Sequence, residues 1–131
     1  MFEWKDEYSV GVKEIDEQHG KLFEIGGRAY SLVNNTFISD KYDKILDIIN
    51  ELVDYTVYHF KCEENLMLES KYRGFFSHKL EHEDFINKVN NIDFKSVDEN
   101  QHKSIIDILE LVLVWIEQHI MDKDKLLIQL N

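Results

Sequence analysis

The chain has 131 residues, with 15 lysines and arginines against 26 aspartates and glutamates, which gives a formal net charge of −11. This acidic balance argues against nucleic acid or an anionic membrane surface as a partner, because both would repel the chain. A single cysteine excludes an intrachain disulfide, and MFEWKDEYS shows no secretion signal, so we expect a cytoplasmic protein. The longest apolar run, residues 111–116, is far shorter than the roughly 20 residues that cross a bilayer.

The scarcity of helix-breaking residues favours long helices. The chain has no proline and five glycines, and its apolar residues recur at alternating spacings of three and four, the periodicity of an α-helix. We predict an all-α fold, an up-down-up-down antiparallel four-helix bundle, because short connections make successive helices antiparallel neighbours. A non-helical N-terminal arm covers residues 1–14, the bundle about 15–121 and a short tail 122–131, all in one domain.

The predicted helices follow one another in chain order. The first covers about 15–33 with Asp16 as its N-cap, and the second begins near residue 40. The third starts after Gly74, and the fourth starts at a capping box formed by Ser96 and Glu99. The tail is expected to add a short helical turn. Four apolar side chains of the arm are expected to pack on the bundle: Phe2, Trp4, Tyr8 and Val10.

Five of the six histidines lie on the same helical stripe as the apolar core residues, together with one glutamate. An alternating bundle brings all of them to one end, because the start of one helix lies beside the end of the next. A lone inward histidine is more often a hydrogen-bonded core residue. A buried carboxylate costs several kcal/mol unless it is compensated, and a metal ion compensates it while binding neutral imidazoles. The stripe predicts a metal site formed by His19, His59, Glu63, His78, His82 and His119.

Spacing separates Asp124 from these residues. The first and last residues of HFKCE (59–63) and of HKLEH (78–82) are four apart. On a helix, four residues correspond to about 40° and about 6 Å of rise, so each pair can reach one ion or two adjacent ions. Asp124 follows His119 by five residues, which is about 140° on an unbroken helix. It joins the site only if the fourth helix ends, tightens or loosens before it, and spacing alone favours a solvated charge.

Taken together, these motifs resemble the hemerythrins, and specifically their single-domain bacterial members. The family pattern is a histidine on helix one, HxxxE on helix two, HxxxH on helix three and HxxxxD closing helix four. The chain has IDEQH ending at His19, HFKCE at 59–63, HKLEH at 78–82 and HIMDKD at 119–124. All seven ligand positions match in type, order and spacing, and the arm segment VGVKEIDEQHGKLF is similar as well. The resemblance covers essentially the whole chain.

The resemblance implies reversible dioxygen binding at two non-haem iron ions joined by an oxo or hydroxo bridge. Three histidines would hold one iron, and two histidines would hold the other, which keeps an open position for dioxygen. Two carboxylates would bridge the irons, which overrides the spacing argument against Asp124. The implied ligands are His78, His82 and His119 for one iron, His19 and His59 for the other, and Glu63 and Asp124 as bridges.

The resemblance also implies an apolar oxygen pocket that excludes water and reductants. The same residues are equally expected as ordinary bundle core, and both roles are compatible. We hypothesise that enlarging the pocket by Ile120→Ala speeds autoxidation. The pocket positions are Leu22, Phe60, Trp115, Ile116 and Ile120.

Rival sites explain fewer of these residues. HKLEH also spells HxxEH, the inverted zinc-peptidase signature, but a zinc hydrolase leaves four other stripe residues without a purpose and requires a substrate cleft. A ferritin-like di-iron oxidase requires Glu-x-x-His on two helices, whereas only Glu99 and His102 have that spacing. A bis-histidine haem site would leave three of the stripe histidines idle.

Within the hemerythrin interpretation we expect an oxygen carrier, store or scavenger rather than an enzyme. Oxygen or nitric oxide sensing, or a reductase activity at the same site, is the alternative, and a reductase would require an electron donor. Sensors usually carry an attached signalling domain, for which this chain has no room. We further expect a monomer, a surface position for His102 and a buried, unreactive Cys62.

Overall fold

The computed structural model describes residues 4–35, 41–92 and 101–130, without the side chains of 41, 101–104 and 128–130. The described residues contain four α-helices and no strand, which confirms the all-α prediction. The short helical turn expected in the tail is present as a 3₁₀ helix. The α-helices are α1 (Lys13–Val33), α2 (Lys41–Glu69), α3 (Phe75–Asn90) and α4 (Gln101–Asp122), with 3₁₀ helices at Asp6–Tyr8 and Asp124–Leu130.

The four helices form the predicted antiparallel bundle around an apolar core. α1 packs along α2, α2 contacts α3 and α4, and α4 also contacts α1 and α3. The spacing of three and four places Ile45, Ile49 and Leu52 of α2 fully inside, each 0% exposed. Full burial of such a side chain contributes about 1.5–3 kcal/mol, so this stripe holds α2 in place. Among the helices described, none is long and apolar enough to cross a membrane.

The arm differs from the sequence prediction at the start of α1. It contains the short 3₁₀ helix, and α1 begins at Lys13 with Val12 in the N-cap position. The prediction of Asp16 as the N-cap is therefore wrong. Its carboxylate instead accepts hydrogen bonds from the Ser9 hydroxyl (2.6 Å) and the Val10 backbone N–H (2.8 Å). The arm folds back over the first turn of α1, where this carboxylate can reach its backbone.

Apolar side chains of the arm pack on the bundle as predicted. Tyr8 and Val10 are buried. The Tyr8 ring stacks on Phe23 with centroids 4.8 Å apart, and Trp4 meets the same Phe23 ring edge-on at 6.2 Å. Phe2 lies outside the described residues.

The starts of the later helices agree with the sequence where the structure describes them. α3 begins directly after Gly74, and Gly74 occupies its N-cap position. Ser96 and Glu99, the predicted capping box of α4, lie outside the described residues, and so does the side chain of His102. Cys62 is half-buried rather than fully buried.

Candidate metal centre

The five stripe histidines and both carboxylates of the family motif lie together at one end of the bundle. α1 and α3 contribute side chains from their N-terminal halves, and α2 and α4 contribute them from their C-terminal halves. All seven are 0–3% exposed, so they form a polar layer inside the core. We call this set the polar layer: His19, His59, Glu63, His78, His82, His119 and Asp124.

A change of helix type brings Asp124 into the polar layer. α4 ends at Asp122, where the Lys123 N–H still bonds to the carbonyl of His119, four residues earlier. The backbone then tightens, and the Leu126 N–H bonds to the carbonyl of Lys123, only three residues earlier. Asp124 opens this 3₁₀ helix and is 0% exposed. The solvated-charge interpretation is therefore wrong, and the break in α4 is the one that the spacing required.

The ligand atoms of the polar layer divide into two groups that share both carboxylates. Within each group, one nitrogen or oxygen atom per residue lies within 4.8 Å of every other. This division agrees with the assignment implied by the hemerythrin resemblance. The three-histidine group is His78, His82 and His119, the two-histidine group is His19 and His59, and both include Glu63 and Asp124.

Asp124 lies between the two groups and turns one oxygen towards each. Its Oδ1 is 2.8 Å from His78 Nε2 and 3.0 Å from His119 Nε2. Its Oδ2 is 2.9 Å from His19 Nε2 on the other side. A carboxylate in this orientation can bind two neighbouring cations at once.

Glu63 also turns one oxygen towards each histidine group. Its Oε1 is 3.1 Å from His82 Nε2, and its Oε2 is 3.3 Å from His59 Nε2. Both carboxylates thus connect the two histidine groups. Such a layer can hold two adjacent metal ions, each with nitrogen ligands of its own and with shared oxygen ligands.

Unpartnered polar atoms in this layer provide an independent indication of bound metal. Among the described residues, His59 Nε2, His78 Nε2, Glu63 Oε2 and Asp124 Oδ1 are buried and make no aligned hydrogen bond, although they lie close to one another. Buried polar atoms normally have partners, because an unsatisfied one costs about 1–3 kcal/mol. All four atoms point into the layer and belong to residue types that bind metals through nitrogen and oxygen. The residues present therefore fit a pair of cations.

Mutual electrostatics shift the protonation of the layer in the metal-free chain. Burial alone would lower the pKa of His59, but Glu63 and Asp124 outweigh it and raise that pKa to about 9. Burial alone would raise the carboxyl pKa values, yet the histidines hold those of Glu63 and Asp124 well below their usual range. The metal-free layer therefore contains charged imidazoles paired with ionised carboxylates. A metal ion would replace those protons.

Three side chains outside the ligand set bond to the far nitrogens of the histidine rings. Gln18 Oε1 lies 2.6 Å from His59 Nδ1, Glu64 Oε2 lies 2.9 Å from His82 Nδ1, and Glu81 Oε1 lies 3.1 Å from His119 Nδ1. Sequence reasoning missed all three in these roles. The available signal was their position, because each immediately precedes or follows a ligand in IDEQH, HFKCEE or HKLEH. Glu81, the glutamate of HxxEH, is thus hydrogen-bonded to His119 of α4.

The structure places the predicted pocket residues in the core next to the polar layer. The Phe60 ring stacks on His82 with centroids 3.8 Å apart, and Trp115 stacks on His119 at 4.7 Å. Both stacked rings belong to the three-histidine group, whereas the Phe60 centroid lies 6.3 Å from that of His59. Leu22, Ile116 and Ile120 are buried in the same apolar cluster as Phe60.

The geometry agrees with comparisons to known proteins. Residues 10–130 match the family model of the hemerythrin HHE cation binding domain. The chain belongs to the hemerythrin family. The bacteriohemerythrin of Clostridium acetobutylicum is 47% identical over 125 residues, which cover 95% of this chain and 97% of that hemerythrin. The resemblance found in the sequence is therefore confirmed.

More distant hemerythrins match over different lengths. The bacteriohemerythrin of Pseudomonas paraeruginosa is 36% identical over 86 residues, or 66% of this chain and 54% of that protein. The hemerythrin-like protein of Naegleria gruberi is 28% identical over 123 residues, or 94% of this chain and 87% of that protein. No solved structure matches the chain.

Proposed function

We propose that this chain binds dioxygen reversibly at two non-haem iron ions held by the polar layer. The observation that carries the proposal is the orientation of the two buried carboxylates, each with one oxygen towards either histidine group. Zinc commonly takes four ligands in a closed tetrahedral site, whereas this layer offers five imidazoles and two shared carboxylates. Two ferrous ions held in these positions would supply the two electrons that reversible dioxygen binding uses.

The proposed ligands follow the two groups of the polar layer, and an oxo or hydroxo group would complete the iron pair. The three-histidine group is proposed to bind one iron and the two-histidine group the other, with two bridging carboxylates. The two-histidine group would offer fewer protein ligands than the three-histidine group and would therefore leave room for dioxygen. The assignment is His78, His82 and His119 for the first iron, His19 and His59 for the second, and Glu63 and Asp124 for both.

The surrounding side chains restrict what else can reach the polar layer. Phe60 covers one face of His82, and Trp115 covers one face of His119. Ile116 precedes His119 in α4 and Ile120 follows it. Both are buried in the same apolar cluster as Phe60. A dry, apolar surrounding keeps water and reductants out, which favours release of dioxygen over its further reduction. Leu22 is proposed to complete this oxygen pocket.

Metal analysis of the purified protein tests the proposal. The protein is reduced without oxygen, its metals are counted, and air is then admitted. We expect about two irons per chain and a visible absorption band that disappears on deoxygenation and returns over several cycles. Zinc in place of iron, with no oxygen-dependent colour, would overturn the proposal. Steady consumption of oxygen or peroxide with added reductant would instead identify an enzyme that depends on an electron donor.

A pair of histidine variants provides the matched control. His119→Ala removes a proposed ligand and should abolish the oxygen-dependent band and reduce the iron content. His102→Ala changes the histidine outside the motif and should retain both. The cytoplasmic location and monomeric state remain predictions of the sequence, and gel filtration of the iron-loaded protein tests the second.

A further inference from the structure

The hydrogen bonds behind the histidine rings differ between the two groups. In the three-histidine group, His82 and His119 place Nδ1 within 2.9 and 3.1 Å of the carboxylates of Glu64 and Glu81. In the two-histidine group, His59 places Nδ1 within 2.6 Å of the neutral amide oxygen of Gln18. The Nδ1 atoms of His19 and His78 have no hydrogen-bond partner among the described residues. Carboxylates therefore lie behind two rings of the three-histidine group, and none is hydrogen-bonded behind a ring of the two-histidine group in the described residues.

The direction of these bonds follows from the positions of the ring nitrogens. Every histidine of the layer turns Nε2 towards the shared carboxylates. A ring that binds a metal through Nε2 carries its proton on Nδ1, so Nδ1 donates to the acceptor behind it. A charged acceptor makes a stronger hydrogen bond than a neutral one and increases the electron donation of the ring to the metal.

Partial burial preserves the effect of both glutamates. The Glu64 side chain is 21% exposed and the Glu81 side chain is 31% exposed, so water screens their charges only in part. Lys123 Nζ lies 3.7 Å from Glu81 Oε2 and offsets part of that charge. We therefore expect Glu64 to have the larger effect of the two.

We propose that Glu64 and Glu81 are positioning residues that make the three-histidine group the more electron-donating half of the site. An iron ion held by this group would then be the first to lose an electron to a one-electron oxidant such as ferricyanide. This inference rests on the proposed di-iron function and adds an assignment of the two one-electron steps. Gln18 has a neutral side chain and adds no negative charge behind His59. An iron ion held by the two-histidine group would therefore be harder to oxidise.

Redox titration of charge-matched variants tests this inference. Anaerobic, reduced protein is titrated with ferricyanide, and the mixed-valent state is followed by electron paramagnetic resonance. Glu64→Gln removes the charge but keeps the size, so the first oxidation should move to higher potential and approach the second. Glu81→Gln should shift it in the same direction by less. Gln18→Glu adds a carboxylate to the two-histidine group and should also narrow the separation of the steps.

Two controls separate charge from structure. Glu83→Gln changes the same charge on an exposed position of α3 and should leave both potentials unchanged. Glu64→Asp keeps the charge, so its first oxidation potential should lie closer to that of the wild type than the potential of Glu64→Gln does. A purely structural role would not produce this difference. Chelator competition should also show Fe²⁺ affinity falling about 10- to 100-fold in Glu64→Gln, the usual cost of losing such a partner.

The outcomes distinguish this inference from the proposed function. Two irons with reversible oxygen binding, but potentials in Glu64→Gln equal to those of Glu83→Gln, would overturn the inference alone. A wild-type chain without an iron pair would overturn both. Should Glu64→Gln fail to retain iron, Gln18→Glu and Glu81→Gln decide the question, and unchanged separation of the two steps in both would overturn the inference.

Discussion

The two ends of the bundle core are equally buried but chemically opposite. At one end, Ile49 of α2 and Leu109 of α4 belong to an apolar cluster and are 0% exposed. At the other end, the polar layer contains Glu63 and Asp124, also 0% exposed. The same helices thus supply an apolar body that is stable through burial alone and a polar layer that is not. The stability of the fold and the integrity of the site are therefore expected to respond to different changes.

Burial changes the free energy of folding in opposite directions in the two regions. Each fully buried aliphatic side chain of the apolar body contributes about 1.5–3 kcal/mol. An ionised group taken into the core costs several kcal/mol unless partners or a metal compensate it. The apolar cluster therefore stabilises the fold, whereas the polar layer lowers the stability of the metal-free chain and provides the candidate site.

Truncating one apolar core side chain remote from the polar layer and one beside that layer is expected to give the largest effects. Leu109→Ala and Ile120→Ala each remove a buried aliphatic side chain of α4 and should cost about 2–5 kcal/mol in the free energy of unfolding, measured with urea. Only Ile120→Ala, next to the proposed ligand His119, should also speed autoxidation of the oxygen-bound protein, measured from the decay of its visible band.

The exposed Leu111 of the same helix provides the control for both variants. It is 47% exposed, so Leu111→Ala should change the free energy of unfolding by no more than about 0.5 kcal/mol. Equal autoxidation rates in Leu109→Ala and Ile120→Ala would contradict a pocket role for Ile120.

Removal of the metal is expected to destabilise the polar layer and expose its pH dependence. A metal at 100 times its Kd adds about 2.7 kcal/mol per site, which is lost in the metal-free protein. The pKa of His59 is raised to about 9 in the folded chain, so its contribution is complete below 6.5 and is lost as the pH rises through 9.

The carboxylates give the opposite limb of the profile. The pKa values of Glu63 and Asp124 are lowered, so their contribution is present above their ordinary values of 4.5 and 3.8 and is lost as the pH falls further. Urea midpoints of the metal-free protein should therefore decline on both sides of about pH 5–6.5. With iron bound, the imidazoles are already neutral, and the decline between pH 6.5 and 9 should flatten. Parallel profiles with and without iron would contradict this account.

The sequence predicts the inward stripe because helical periodicity decides which positions face the core. It cannot place Asp124 by spacing, since that position depends on where α4 gives way to a 3₁₀ helix. The family resemblance supplied that residue. Gln18, Glu64 and Glu81 could not be assigned, because a polar neighbour of a ligand looks like a solvated side chain until the ring orientations are known.

The arm provides the smallest expected effect and the most direct test of how separate the two regions are. Asp16 accepts hydrogen bonds from Ser9 and Val10, and Lys125, the neighbour of Asp124, donates to the carbonyl oxygens of Glu7 and Ser9. Asp16→Ala should cost about 1–2 kcal/mol in urea unfolding, because it removes two partly exposed bonds to a charged group.

Two comparisons decide what that loss means. Ser9→Ala removes one of the two bonds and should cost less, whereas Glu17→Ala, on an exposed position of α1, should have little effect. If the arm only stabilises the fold, Asp16→Ala should retain the iron content of the wild type. If iron is lost together with stability, the arm fixes the position of Asp124 through Lys125. The polar layer would then depend on residues that share none of its chemistry, and the proposed separation of fold from site would fail at this end of the bundle.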